Sequence, residues 1–348
     1  MQETELIARL ASHLVGRHAL LVEGIGDDAA VWTWDEDTYG LLAVDTVYEN
    51  WDFDPIYHPA PYIGYKAATG AISDICAMNG EPLFLLVALG VPRNTAPSYL
   101  EAIYQGLRKV EEKYGVVVVG GDVSASKDLW LSVTVLGRVP QAQITYRRGA
   151  APNQLLCVTG DLGGAYAGLK ILQREKTVFL QNPSIQPDLT GFEYIVSRQL
   201  KPEARCDIVR RLHELQIVPT SMIDLSDGLA RGLHHLASAS GVALHIYLDR
   251  LPFHEQTYKV AQLLDMPLSA LLLYGGEEYE LLFTVPASAY EKLRQEEQIH
   301  IIGFVKEGQG VWAEDSLGQV EKIEPVGWDS LVGRKDPSPG ESPPVSPS

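Results

Sequence analysis

Lone aspartates recur at the glycine-flanked ends of apolar segments along this chain. GIGDDAAVW (24–32) sets Asp27 and Asp28 in a glycine turn, and LLAVDT (41–46) closes a strand-like run on Asp45. AISDICAMNG (71–80) places Asp74 among small residues of an otherwise apolar helix, and VVVVGGDVS (116–124) reaches Asp122 after a β-branched run and two glycines. MIDLSDGLA (222–230) holds two carboxylates three residues apart, Asp224 and Asp227, with Ser226 between them and Gly228 after. Taken singly, each acid reads as a cap or a turn residue. A buried carboxylate without a partner is costly, however, and several together repel. Six or seven at strand ends therefore read as a polynuclear cation site. Magnesium suits it, because it prefers carboxylate oxygens and bridges protein acids to substrate phosphates.

The segments between these acids alternate in period. Apolar or β-branched runs at 40–49, 83–92, 115–122 and 129–140 predict strands, and 61–80 and 98–115 predict helices. A second series follows: strand, glycine turn and helix over 155–175, a helix over 202–216, strand, acidic turn and helix over 221–241, and strands at 243–252 and 279–286. The order is that of an α/β (α+β) layered protein with two domains. The expected boundaries are 1–145, 146–333 and a Pro/Ser-rich tail, 334–348, too poor in apolar side chains to order itself.

With Lys plus Arg at 28 against Asp plus Glu at 45, the net charge is −17, which repels phosphate over the surface as a whole. Nucleic acid and membrane partners are not expected. The N-terminal MQETELIARLASHL is a short amphipathic helix, without the basic flank and apolar run of a signal peptide. The longest apolar run, LFLLVALGV (83–91), is too short to span a bilayer. A soluble, cytoplasmic protein is expected. The three cysteines, Cys76, Cys157 and Cys206, match no zinc or redox spacing, and each reads as a small buried apolar residue.

TGDLGGAYAG (159–168) opens a helix after a strand, where backbone amides can receive an anion or simply make a tight turn. There is no Walker A pattern and no protein-kinase signature. A nucleotide would have to be held through metals and a few basic residues. Arg147 and Arg148 at the domain junction are candidates, or else solvated linker charges.

GIGDDAAV, LAVDT, IGYKA with SDICAMNGEP, VVGGD, YRRGA, VTGDLGGAYAGL, RQLKPEAR, MIDLSDGLA and GGEEYELLF together resemble the thiamine-monophosphate kinase family, and occur in that family's order over residues 20–330. This family lies within the ATP-binding superfamily that includes aminoimidazole ribonucleotide synthetase. The resemblance implies an N-terminal α/β domain that dimerises through its sheet, a C-terminal α/β domain, and an active site between them near the dimer interface. It implies ATP-dependent phosphorylation of thiamine monophosphate to thiamine diphosphate, by direct in-line transfer with several Mg2+ ions. By motif, the metal ligands are Asp28, Asp45, Asp74, Asp122, Asp224 and Asp227, with Asp27 a further ligand or a brace of the turn. ATP contacts are Tyr104, Gly121, Asp122, Arg147 and Ser226, and Asp52, Glu277 and Trp328 lie on the thiamine side. No catalytic side chain separate from the metal site is implied.

The departures from the family pattern fall mostly on the acceptor side. Val44 replaces a threonine before Asp45, and Asp52 stands where the family has a substrate-contacting histidine. AISD, GGDVS and GGEEYEL also differ by small exchanges. Two alternatives follow: a related ATP-dependent enzyme with a different acceptor, and a catalytically silent homodimer that binds nucleotide or thiamine phosphate.

Overall fold

The computed structural model describes residues 3–328. The predicted tail 334–348 lies outside the described residues. A short helix, α1 (Glu3–Ala11), precedes a six-stranded sheet built from β1 (Leu21–Glu23), β2 (Ala30–Thr33), β3 (Thr38–Tyr48), β4 (Glu81–Pro92), β5 (Val117–Ser126) and β6 (Trp130–Pro140). Its order is β1-β2-β3-β6-β4-β5, antiparallel throughout except for the β4–β5 pair. Between β3 and β4 runs α2 (Ala60–Ala77), and between β4 and β5 runs α3 (Pro97–Tyr114). The sequence accounts for α3 closely: Pro97 fits the first turn, and Gly115 ends the helix in the left-handed region at φ 72°.

The second unit carries β7 (Leu155–Thr159), β8 (Ser221–Asp224), β9 (Ala243–Tyr247), β10 (Leu281–Val285), β11 (Ile299–Lys306), β12 (Gly310–Glu314) and β13 (Val320–Lys322). They form one sheet in the order β13-β12-β9-β11-β7-β10-β8, with only β9–β12 parallel. Its helices are α4 (Gly164–Gln181), α5 (Glu193–Leu200), α6 (Cys206–Glu214), α7 (Leu229–Ser240), α8 (Glu255–Leu263), α9 (Leu268–Tyr274) and α10 (Tyr290–Leu293). The strand expected over 243–252 is shorter, because Leu248–Arg250 turns into a 3₁₀ segment before Pro252. β1, β2, α5, α8, α9, α10 and β11 to β13 add to the elements expected from the sequence.

One hydrophobic core joins the two units. Ala67, Ile72 and Cys76 on α2 share it with Met222 on β8 and Leu281 and Phe283 on β10. Leu282, on the opposite face of β10, packs instead with Leu229 and Leu233 of α7. Strand alternation thus splits β10 between two cores and brings α2 against the end of β8. That junction positions the site. Among the described residues, no helix is long and apolar enough to cross a membrane.

The first sheet has unlike faces. α2 packs across β3, β4 and β6 on one side. The other side leaves Leu42, Val44, Phe84, Leu86 and Val117 exposed, between 42 and 62%.

Candidate active site

Asp28, Asp74 and Asp224 converge at the junction of the units, each offering an oxygen within 4.8 Å of the others. They come from three places in the chain: the turn before β2, the middle of the last turns of α2, and the end of β8. Ser73 Oγ donates to Asp224 Oδ2 at 2.7 Å, which ties α2 to β8. Arg147 holds Asp28 from the side, through Nη2 at 2.6 Å and Nε at 3.1 Å. Asp27 braces the turn, accepting from the backbone N–H of Asp28 at 3.0 Å and of Arg147 at 3.2 Å. Of the two roles open to Asp27 in the sequence, the brace is the one its hydrogen bonds describe.

Asp45 lies under α2 beside Gly70. A Cβ on Gly70 would stand 2.3 Å from Asp45 Oδ2, so only glycine lets the helix approach the carboxylate this closely. The sequence around Asp224 is equally specific. β8 ends at Asp224, Leu225 N–H bonds the carbonyl of Glu280 at 2.8 Å, and Gly228 at φ 105° turns the chain into α7. Glu277 N–H in turn donates to the carbonyl of Ser226 at 2.6 Å, so the DLSDG and GGEEYE segments are zipped together.

The electrostatics are those of a site short of positive charge. Burial pushes Asp45 up to about 7, with the charges of Asp52, Glu277 and Asp227 adding to the effect against the N–H of Thr46. Asp224 is also pushed to about 7, by burial and then by Asp28, opposed by Ser73 and Arg147. Asp74 rises well above the carboxylate range, through burial and then Asp224, Asp45 and Asp28. A clustered, oxygen-only, repelling donor set is what Mg2+ takes, so the residues fit that ion.

Three cavities line up beside the cluster. One of about 150 Å3 is lined by Arg147, Asp224, Ser226, Asp227 and Arg231, and by Glu3 of α1. Glu3 also borders an open cavity of about 500 Å3 with Asp45, Thr46, Trp51 and Asp52. Trp51 and Asp52 lead into a third, of about 490 Å3, with Tyr57, Gln199, Glu277 and Trp328. Trp51 and Trp328 face each other at 5.4 Å between ring centroids, tilted by 57°. Trp328 is seated by its N–H on the carbonyl of Asp227 at 3.1 Å and by Arg231 on its own carbonyl.

The structure therefore brings together Asp28, Asp45, Asp74, Asp224, Asp227, Arg147, Ser226, Asp52, Glu277 and Trp328 along one cleft. Three expected residues stand apart. Asp122 is exposed on β5 and accepts Ser124 Oγ at 2.9 Å. Register explains it: Asp122, Ala88, Ser132 and Thr46 form one row across the sheet, and Gly121, Val87, Val133 and Asp45 the next. Asp45 and Asp122 thus point to opposite faces, and Asp122 joins the exposed apolar one. Gly121 precedes it on the same edge strand, and Tyr104 is exposed on α3.

Sequence reasoning missed Lys66. It is 1% exposed, donates to the carbonyl of Asp52 at 2.9 Å and pairs with Glu277, which also accepts Gln199 Nε2 at 2.7 Å. Its signal was a lone lysine in a helix of small and apolar residues. Asp52 itself is pushed up to about 6 by burial, against the N–H of Tyr48 and the charge of Lys66. The RQLKPEAR and GGEEYELLF blocks hold each other: Arg198 pairs with Glu278 at 3.0 Å, and Arg205 with Glu280 at 2.6 Å.

Comparison with known proteins agrees with this geometry. Residues 26–139 match the family of AIR synthase related protein, N-terminal domain. The chain is 35% identical to thiamine-monophosphate kinase of Bacillus subtilis over 319 residues, covering 88% of this chain and 92% of that one. It is 32% identical to the enzyme of Pyrococcus horikoshii, covering 96% and 97%. The solved structure of AaThiL complexed with AMPPCP and TMP superposes with a TM-score of 0.80 at 30% identity, covering 94% of this chain and 96% of that one. With Asp28, Asp45, Asp74, Asp224 and Asp227 gathered in one cleft, and similarity running over most of the chain, this protein belongs to the thiamine-monophosphate kinase family.

Proposed function

We propose that the chain transfers the γ-phosphoryl group of ATP to thiamine monophosphate, giving thiamine diphosphate and ADP. The observation that carries this reading is the continuity of the cleft, from the carboxylate cluster past Asp45 to the tryptophan-lined cavity. A triphosphate and a phosphorylated heterocycle both need room there, and their phosphates must meet near the acids. A phosphate oxygen of the acceptor attacks the γ-phosphorus in line, and ADP leaves. Such a step rests on positioning and charge neutralisation.

Asp28, Asp45, Asp74, Asp224 and Asp227 are the residues that would hold Mg2+, which neutralises phosphate charge when bound. Arg147 and Ser226 border the nucleotide end, and the two hydrogen bonds from Arg147 fix the orientation of the Asp28 carboxyl group there. Trp328 and Trp51 offer aromatic faces to a flat heterocycle. Lys66 holds Glu277 and the backbone at Asp52 in place, so the acceptor cavity keeps its shape. Burial, opposed by the N–H of Tyr48 and assisted by Glu277, holds Asp52 above the ordinary carboxylate range, which lessens the charge it presents to the acceptor phosphate.

We further propose a homodimer joined through the exposed apolar face of the first sheet. An unpaired apolar face of this extent seeks a partner. Tyr104, Gly121 and Asp122 keep their nucleotide and metal roles only in a site shared between two copies, since Asp122 points away from Asp45 within one chain. The domain division near 145 and a cytoplasmic setting belong to the same reading.

The test is an assay with purified protein, ATP, Mg2+ and thiamine monophosphate, with products identified by mass. Thiamine diphosphate and ADP in equal amounts are expected. ATP and Mg2+ binding without thiamine diphosphate would overturn the acceptor assignment.

A further inference from the structure

Cys76 lies near the end of α2, two residues beyond Asp74, and Cys206 opens α6 beside Arg205. They are 130 positions apart in the chain, yet their Sγ atoms stand 2.8 Å apart. A disulfide bond is about 2.0 Å long, so joining them takes a movement of about 0.8 Å. Both are free thiols, Cys76 fully buried and Cys206 partly exposed. Cys206 also lines a cavity of about 370 Å3 with Glu81, Tyr114, Arg138, Arg210 and His213, and among the described residues this cavity shares no lining residue with the active-site cleft. Arg138 and Arg210 are exposed at it, and Arg138 pairs at 2.9 Å with Glu81, which lines it too.

We propose that Cys76 and Cys206 form a redox-responsive dithiol, oxidised by exchange with a small disulfide that reaches Cys206 through this cavity. The accessible Cys206, as thiolate, attacks one sulfur of the small disulfide. That S–S bond breaks, a mixed disulfide forms on Cys206, and one small thiolate leaves. The Cys76 sulfur, already beside Cys206, then attacks the Cys206 sulfur, and the second small thiolate leaves as it takes the Cys76 proton. The two thiol protons pass to the released thiolates. The protein pair loses two electrons and the small disulfide gains them. The bond ties α2, which carries Ser73 and Asp74, to α6 of the second unit. The proposal stands apart from the phosphoryl-transfer reading and does not rest on it.

The test uses the full-length reduced protein and oxidised glutathione as the probe. After incubation and alkylation in denaturant, the expected result is a chain alkylated only at Cys157, with a peptide map showing Cys76 linked to Cys206. Reductant should restore alkylation at all three cysteines. Cys206→Ser and Cys76→Ser should each abolish the link, and Cys157→Ser should leave it unchanged. Should Cys76→Ser fail to fold, the wild-type map and Cys206→Ser decide alone. Three alkylated cysteines, under conditions that fully oxidise free dithiothreitol, would overturn the proposal. So would a lasting glutathione adduct on Cys206 with Cys76 still alkylated, or a bond involving Cys157.

Discussion

Asp224 and its neighbours are poised for function at the expense of stability. The metal-free cluster keeps repelling carboxylates in a buried place, so neutralising one should relieve it. Asp224→Asn is therefore expected to raise the metal-free melting temperature, and to lower turnover on the order of a hundredfold or more. Calorimetry without metal and an ADP-release assay check the two halves. A fall in both would make Asp224 a structural residue instead. The pH dependence follows from the same charges. Asp45 and Asp224 titrate near 7 when folded, against 3.8 ordinarily. Between those values the metal-free fold holds protons that the unfolded chain has lost, so the cluster's contribution to stability falls as pH rises. Mg2+ must displace these protons, so its stabilising increment should be small near about pH 6 and larger near about pH 8. Melting curves with and without millimolar Mg2+ at both values read this directly; an increment that shrinks with pH would refute it. Lys66→Met should destabilise by about 3 kcal/mol in denaturant unfolding, because Glu277 is left without its cation. Adding Glu277→Gln should recover part of the loss.

At the scale of the element, α2 is the part that makes the site. It buries almost its whole length and carries Lys66, Gly70, Ser73, Asp74 and Cys76 on one helix. Helix propensity favours alanine over glycine by about 1 kcal/mol, so Gly70 is locally unfavourable. Its reason is Asp45, 2.3 Å from where a Cβ would stand. Gly70→Ala should therefore fail to stabilise the protein and should reduce turnover at least about tenfold, as the carboxylate is displaced. A gain in melting temperature with full activity would show that the close approach is not needed.

For the whole molecule, the open face of the first sheet is the decisive feature. Val44 and Leu86 both flank Thr134 across the strands, and form the middle of the apolar surface. Leu86→Asp should leave the fold intact, since the side chain is 46% exposed in the single chain, and should convert a dimer to a monomer in sedimentation. Activity should fall with it if Asp122 serves a site shared between copies. A monomeric wild-type protein would remove the shared-site reading.

The sequence by itself determined the longer periodic elements, the places where apolar runs end in lone carboxylates, and the motif set of the family. Local geometry explains this: α3 announces its ends through Pro97 and Gly115, and β8 and α7 through Asp224 and Gly228. Long-range placement decided the rest. Which of the acids meet depends on register, and one residue of offset sends Asp45 inward and Asp122 outward on the same sheet. Lys66 became a site residue only when packing set its amine against Glu277. Cys76 and Cys206, read singly as small apolar residues, became a pair because α2 and α6 share one core. Propensity and pattern act over a few residues, whereas contacts between segments over a hundred positions apart are fixed by how the two sheets and α2 pack together.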